Sequence, residues 1–117
     1  MKLTYLIFMN EFSQKHCVPC EGGVDACSLD QARKMAMQAP GWEVIEDGKK
    51  IKREFKFEDF KKAMIFVNRV ADIAEAEGHH PDIHLFYNRV VLDLWTHAIG
   101  GLSENDFIVA AKVNELL

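Results

Sequence analysis

Four of the five histidines in this chain fall between positions 79 and 97, at His79, His80, His84 and His97. Neutral imidazole is the side chain best suited to moving protons near neutral pH, because its ordinary pKa of about 6.5 lets it both give and take one there. The doubled His79-His80 is followed by Pro81 and preceded by Glu75, and His97 sits between Thr96 and the pair Gly100-Gly101. The cluster points to general acid–base work. Three imidazoles also suffice for a catalytic zinc, so a metal site is the competing reading of the trio. His84 and His16 carry no such pattern and read as structural hydrogen-bonding residues.

The elements that must position these histidines follow from the surrounding pattern. Glu58 and Asp59 favour a helix start through the backbone dipole. Phe60, Ala63, Met64, Val67, Val70, Ala71 and Ala74 then recur at three and four residues for about five turns. Gly78 is placed to stop this helix in the left-handed conformation, so His79 and His80 emerge just past its C-terminus. Pro81 pushes His80 towards an extended backbone at the start of the next strand. Residues 82–87 and 90–97 read as a hairpin about Asn88-Arg89. In its second strand Val90, Leu92, Leu94 and Thr96 face one way, and Val91, Asp93, Trp95 and His97 the other. His97 is expected at that strand's end. Ser103 with Asp106 three places on is a capping pair for a final helix running to near Leu117, with Phe107, Ala110, Ala111, Asn114 and Leu117 along one face.

Upstream, Ser28 and Gln31 match a capping box that opens a helix over residues 29–38, with Leu29, Ala32, Met35 and Ala36 on one face and Pro40-Gly41 ending it. Residues 42–46 and 49–57 read as strands joined by a type I′ turn at Asp47-Gly48. Ile51, Phe55 and Phe57 share one face with Arg53, while Lys50, Lys52, Glu54 and Lys56 point the other way. The order helix, two strands, long helix, two strands, helix predicts an α+β fold. It is a single four-stranded antiparallel sheet with helices packed on one face. An uncovered sheet face near Val91 and Trp95 would invite a partner chain.

At 117 residues, 49% of them hydrophobic, the chain can bury a core as one domain without disulfides or a structural metal. Its 14 basic and 18 acidic side chains leave a net charge of −4 with no dense basic patch, which argues against direct nucleic-acid binding. No run approaches the roughly 20 apolar residues that a membrane span needs. Residues 3–9 are apolar but short, and Asn10-Glu11 follow with no small-residue cleavage site, so a signal peptide is not favoured. Residues 1–16 are expected to form an N-terminal extension, disordered or an extra edge strand, ahead of a domain over 17–117. Cys17, Cys20 and Cys27 leave one thiol unpaired in any disulfide scheme, which suits a reducing, cytoplasmic setting. Cys17-Val18-Pro19-Cys20 has the spacing of half a zinc site, but His16 and Cys27 could complete it only by a tight local fold.

Glu75, three residues, His79-His80-Pro81, five residues, Tyr87, nine residues, His97, eight residues and Asp106 together resemble the signature of the pterin-4a-carbinolamine dehydratases. The likeness runs over residues 17–116. Tyr87-Asn88-Arg89-Val90 and Thr96-His97-Ala98-Ile99-Gly100-Gly101-Leu102 are similar to the bacterial branch. The animal pattern differs at Gly78, Ile83, Trp95 and Ala98. The resemblance implies dehydration of 4a-hydroxytetrahydropterin to quinonoid dihydropterin and water, recycling the pterin cofactor of aromatic amino-acid hydroxylases. It implies His79, His80 and His97 as the catalytic histidines, with His80 chiefly holding the substrate. Glu75, Pro81 and Thr96 are further substrate-binding candidates. Glu75 reads equally as a solvated helix carboxylate, and capping is a sufficient structural reason for Asp106. The family implies no metal, no organic cofactor and a homodimer or homotetramer. A non-catalytic protein-binding role, as a dimerisation cofactor or an accessory in molybdopterin metabolism, is the alternative.

Overall fold

The computed structural model describes residues 11–19 and 25–117; the expectations for residues 1–10 and for Cys20 lie outside them. Helix α1 (Leu29–Ala36) opens on the expected capping box. Gln31 N–H donates to Ser28 Oγ at 3.2 Å and Ser28 N–H to Gln31 Oε1 at 2.9 Å. Strands β1 (Glu43–Ile45) and β2 (Lys50–Lys56) pair antiparallel with Ile45 opposite Lys50, so residues 46–49 all belong to their connection. Glu46, Asp47 and Gly48 all have positive φ, at 51°, 61° and 88°. The turn therefore falls where expected but is longer than a two-residue type I′ turn.

Helix α2 (Phe60–Glu77) begins with Asp59 Oδ1 accepting the Lys62 N–H at 2.9 Å. Its buried stripe is Ala63, Phe66, Val70 and Ala74. Phe60, expected inside, lies on the surface at 48% exposure, stacked on Tyr87. Phe66 takes the inward place because Phe55 and Phe57 of the sheet receive it, at centroid distances of 4.7 and 4.9 Å. Gly78 stops the helix at φ 64°, and Ala74 O accepts the N–H groups of both Gly78 and His79. That double bond at a left-handed residue is the usual way of closing a helix C-terminus.

Strands β3 (Asp82–Phe86) and β4 (Arg89–Leu94) form the second hairpin, and Phe86 pairs with Arg89. The turn is thus Tyr87-Asn88, one residue earlier than expected. Asn88 is drawn into it by β2's end: Phe57 N–H donates to Asn88 O at 2.8 Å and Asn88 Nδ2 to Phe57 O at 3.1 Å. The sheet order is β1-β2-β4-β3, antiparallel throughout, as the α+β reading requires. Ile51, Phe55, Val90, Leu92 and Leu94 form its buried face.

Helix α3 (Glu104–Asn114) departs most from expectation. It is buried on almost every side, from Asn105 to Ala111 and again at Val113, and Leu117 beyond its end is exposed. The side expected to face water is covered by residues 11–18. On that side Lys112 Nζ donates to Ser13 O at 2.8 Å and Asn105 bonds Val18, while Phe12 packs at 6.4 Å on Phe107 of the expected inner side. Helix α3 is buried almost all round because its neighbours enclose it, its buried Asn105 and Asp106 being hydrogen-bonded. Asn114 fastens its far end, its Oδ1 accepting from Trp42 Nε1 at 2.9 Å and Arg53 Nη1 at 2.7 Å while its Nδ2 donates to Pro40 O at 2.9 Å. Among the described residues no helix is long and apolar enough to cross a membrane.

Candidate active site

The end of α2, the start of β3, the turn after β4 and the start of α3 meet around a cleft of about 540 Å³. His79, His80, Pro81, Thr96 and His97 all line it. Glu75 does not line it, and instead reaches His80 from one turn back on α2. His84 lies elsewhere, on the sheet beside Asp93 at 3.4 Å, and exposed His16 pairs with Glu77.

Each histidine is placed by a different device. His79 Nε2 lies 2.6 Å from Oδ1 of Asp106, whose side chain has no solvent exposure. The other oxygen, Oδ2, accepts the Thr96 hydroxyl at 2.8 Å and the Ser103 N–H at 3.0 Å. Asp106 thus caps α3 and holds His79 at once. A carboxylate offers acceptors only, so Nε2 carries the hydrogen and Nδ1 is the ring nitrogen left for proton exchange. Thr96 Oγ1 also meets Ser103 Oγ at 2.7 Å, so its hydroxyl is committed within the wall of the site.

His80 Nε2 contacts Glu75 Oε2 at 2.5 Å, with both side chains largely exposed. His97 does not end the strand as expected but opens a single turn of 3-10 helix, His97–Ile99, after β4 has stopped at Leu94. That turn is closed by Thr96 N–H donating to Gly101 O at 2.8 Å. The close approach needs glycine: a Cβ at Gly101 would come within 2.7 Å of the Ala26 Cβ. The His97 ring stacks on Trp95 with centroids 3.9 Å apart and planes 22° apart.

Residues 17–19 supply a further wall. Asn105 secures them by a two-way bond to Val18, accepting its N–H at 3.1 Å and donating to its carbonyl at 2.7 Å. The Cys17 N–H donates to Glu77 Oε1 at 2.7 Å, and Lys112 lies 3.6 Å from Glu77 Oε2. Burial would raise the Glu77 pKa, but the Cys17 N–H, His16 and Lys112 outweigh it and hold the carboxyl below its ordinary 4.5. Burial and then the Glu77 charge push the Cys17 thiol up to about 12, so it stays protonated and unreactive at neutral pH. Among the described residues no three His, Cys, Asp or Glu side chains converge as metal ligands would.

The three histidines named from the sequence line one cleft, but the sequence reading missed several of their neighbours. Asp106 stood at a signature spacing, yet capping alone accounted for it. Trp95 was read as interface packing, and Glu77 and Asn105 gave no signal, since each acts on a loop distant in sequence.

Comparison with known proteins gives the family. The family profile described as Pterin 4 alpha carbinolamine dehydratase matches residues 25–116. A Halorhodospira halophila protein named for that dehydratase is 51% identical over 104 residues, covering 89% of this chain and 95% of the relative. Pterin-4-alpha-carbinolamine dehydratase 2, mitochondrial, from Arabidopsis thaliana is 47% identical over 110 residues, covering 91% of this chain and 59% of its own length. A solved structure described as a transcriptional coactivator/pterin dehydratase from Brucella melitensis superposes with a TM-score of 0.74 at 33% identity, covering 79% of this chain and 98% of that one. A pterin dehydratase-like RuBisCO assembly factor of the alpha-carboxysome shares the fold, with a TM-score of 0.57 at 22% identity over 65% of this chain and 88% of that one. With the family profile matching residues 25–116 and the Halorhodospira halophila relative, at 51% identity, covered over most of its length, this chain belongs to the pterin 4 alpha carbinolamine dehydratase family.

Proposed function

We propose that this chain is a hydro-lyase that dehydrates 4a-hydroxytetrahydropterin to quinonoid dihydropterin by histidine general acid–base catalysis, without a metal or organic cofactor. The N5 lone pair forms the C4a–N5 double bond as the C4a–O bond breaks. One imidazole donates a proton to the departing hydroxyl, which leaves as water, and another accepts the proton from N5. Each transfer typically contributes about 10² to 10⁴-fold. His79 and His97 are the proton-transfer groups, and His80, steadied by Glu75, holds the substrate. Pro81 lines the cleft directly after His80, and Thr96 acts through Asp106.

The observation that carries this reading is the His79–Asp106 pair, because it commits one ring nitrogen to the protein and leaves the other for the substrate. The dehydratase names of the relatives supply the substrate class. The same reading places the protein in the cytoplasm, where the free thiols Cys17 and Cys27 stay reduced, as the supplier of recycled cofactor to an aromatic amino-acid hydroxylase. Homo-oligomerisation belongs to it as well, supported by the edge strand β3 with its exposed Ile83 and Phe86 and by the exposed Tyr87 of the turn that follows.

The test follows quinonoid dihydropterin by absorbance from freshly made 4a-hydroxytetrahydropterin after chelator treatment. Turnover above buffer should fall at least about 10²-fold in His79→Ala and in His97→Ala. A folded wild type no faster than buffer would overturn the enzyme reading and leave the non-catalytic binding role.

A further inference from the structure

Two of the three imidazoles in the cleft have a carboxylate: Asp106 for His79 and Glu75 for His80. His97 has none. Among the described residues its side chain makes no hydrogen bond or ion pair, and its ring contact is the face of Trp95, at a centroid distance of 3.9 Å. An exposed ring on a single helical turn samples several rotamers unless a neighbour selects one. Here the neighbour is an indole.

Trp95 is itself fixed. It follows Leu94, whose partner across the sheet is Ile51, and this register sets Lys50 beside it. The Lys50 ammonium lies 5.2 Å from the indole centroid and 3.7 Å from Glu46 Oε2. The indole Nε1 is buried with no hydrogen-bond partner among the described residues, a desolvation that a phenyl or leucyl side chain would avoid. Packing alone therefore gives no reason for Trp at this position. A broad flat face beside His97 does.

We propose that Trp95 is the positioning residue for His97, its indole steadied by Lys50 and holding the imidazole by stacking where the other two histidines are held by carboxylates. The proposal rests on the dehydratase reading of the cleft and deepens it. The stack fixes where the His97 nitrogens meet the substrate without occupying either of them, so both remain available for proton exchange.

Four variants test it: Trp95→Leu, Trp95→Phe, His97→Ala, and Trp95→Leu combined with His97→Ala. The His97 ring-proton resonances, identified by their absence in His97→Ala, should be displaced upfield by the indole ring current. The displacement should disappear in Trp95→Leu and persist in part in Trp95→Phe, with the His79 resonances unmoved as the control for an intact cleft. Turnover should fall about 10- to 100-fold in Trp95→Leu, chiefly in kcat, as expected for a misplaced catalytic group, and recover in Trp95→Phe. The double variant should be no slower than His97→Ala alone. Losses that multiply in the double variant would mean that Trp95 acts on the substrate directly. Unchanged His97 resonances in Trp95→Leu would mean that it does not hold the ring. Either result overturns the proposal. Displaced resonances in a wild type without turnover would instead overturn the dehydratase reading while sustaining the positioning of His97.

Discussion

Asp106 meets His79 at 2.6 Å from a position with no solvent exposure, and its second oxygen is taken by Thr96 and Ser103. Replacing it with Asn keeps the size but offers one acceptor in place of two. If the amide oxygen stays with Thr96 and Ser103, the NH₂ faces His79 and forces the opposite tautomer. Asp106→Asn should therefore lower kcat by about 10² to 10⁴-fold while the protein remains folded. Asp106→Ala takes the carboxylate acceptor from His79, Thr96 and the Ser103 N–H and should cost at least about 1–3 kcal/mol in urea unfolding. Full turnover by a folded Asp106→Asn would refute the role given to His79.

Glu75 and His80 form an exposed pair, so Glu75→Gln should change stability by less than about 1 kcal/mol. Its effect belongs in binding. KM should rise several-fold with kcat nearly unchanged, since a merely steadying contact acts equally on ground and transition states. A kcat loss as large as that of His79→Ala would instead make His80 a proton-transfer group.

Glu77 should make the protein acid-sensitive. Its folded-state pKa lies below its unfolded value of about 4.5, so the stabilisation it contributes is fully present above that value and is lost as pH falls through the folded pKa. At neutral pH Glu77→Gln should cost about 1.5–3 kcal/mol, the range for hydrogen bonds to a charged group. The gap between the two proteins should narrow as pH drops below about 4.5. Urea unfolding at pH 7 and pH 3.5 measures both, and a gap of equal size at the two pH values would contradict the assignment.

Gly78 sits at φ 64° with nothing within 4 Å of where a Cβ would stand. Gly78→Ala should thus cost only left-handed backbone strain, about 1–2 kcal/mol, and Gly78→Asn less. Because His79 and His80 follow directly, turnover should fall further in Gly78→Ala than the stability change alone explains. A comparison of thermal melts with kcat/KM across the two variants decides this.

Much of this fold was legible because its signals are local. The capping pair Ser28-Gln31, the Gly78 stop and the Pro81 start each act within a few residues, and they delivered the doubled histidine to an element boundary. What stayed hidden depends on distant partners. Phe60 and Phe66 differ little in sequence pattern, and only the place of Phe55 and Phe57 decides which turns inward. Helix α3 looked one-sided until residues 11–18 covered its other face at Asn105 and Lys112. Asp106 satisfied a capping rule so well that its reach to a residue 27 positions earlier had no separate trace. The role of Trp95 escaped for a different reason: alternation along a strand ignores ring geometry beyond the strand's end.

The wall formed by residues 17–19 also bears on how the protein is made. Its fastenings join Val18 to Asn105 across 87 positions, and Ser13 to Lys112 across 99. A chain emerging from the ribosome N-terminus first must therefore leave these early residues bonded to water until helix α3 has been synthesised. His79, His80 and His97 will already have emerged, but Asp106 and the Asn105 anchor come later still. The wall of the cleft can therefore close only once helix α3 is present to anchor it.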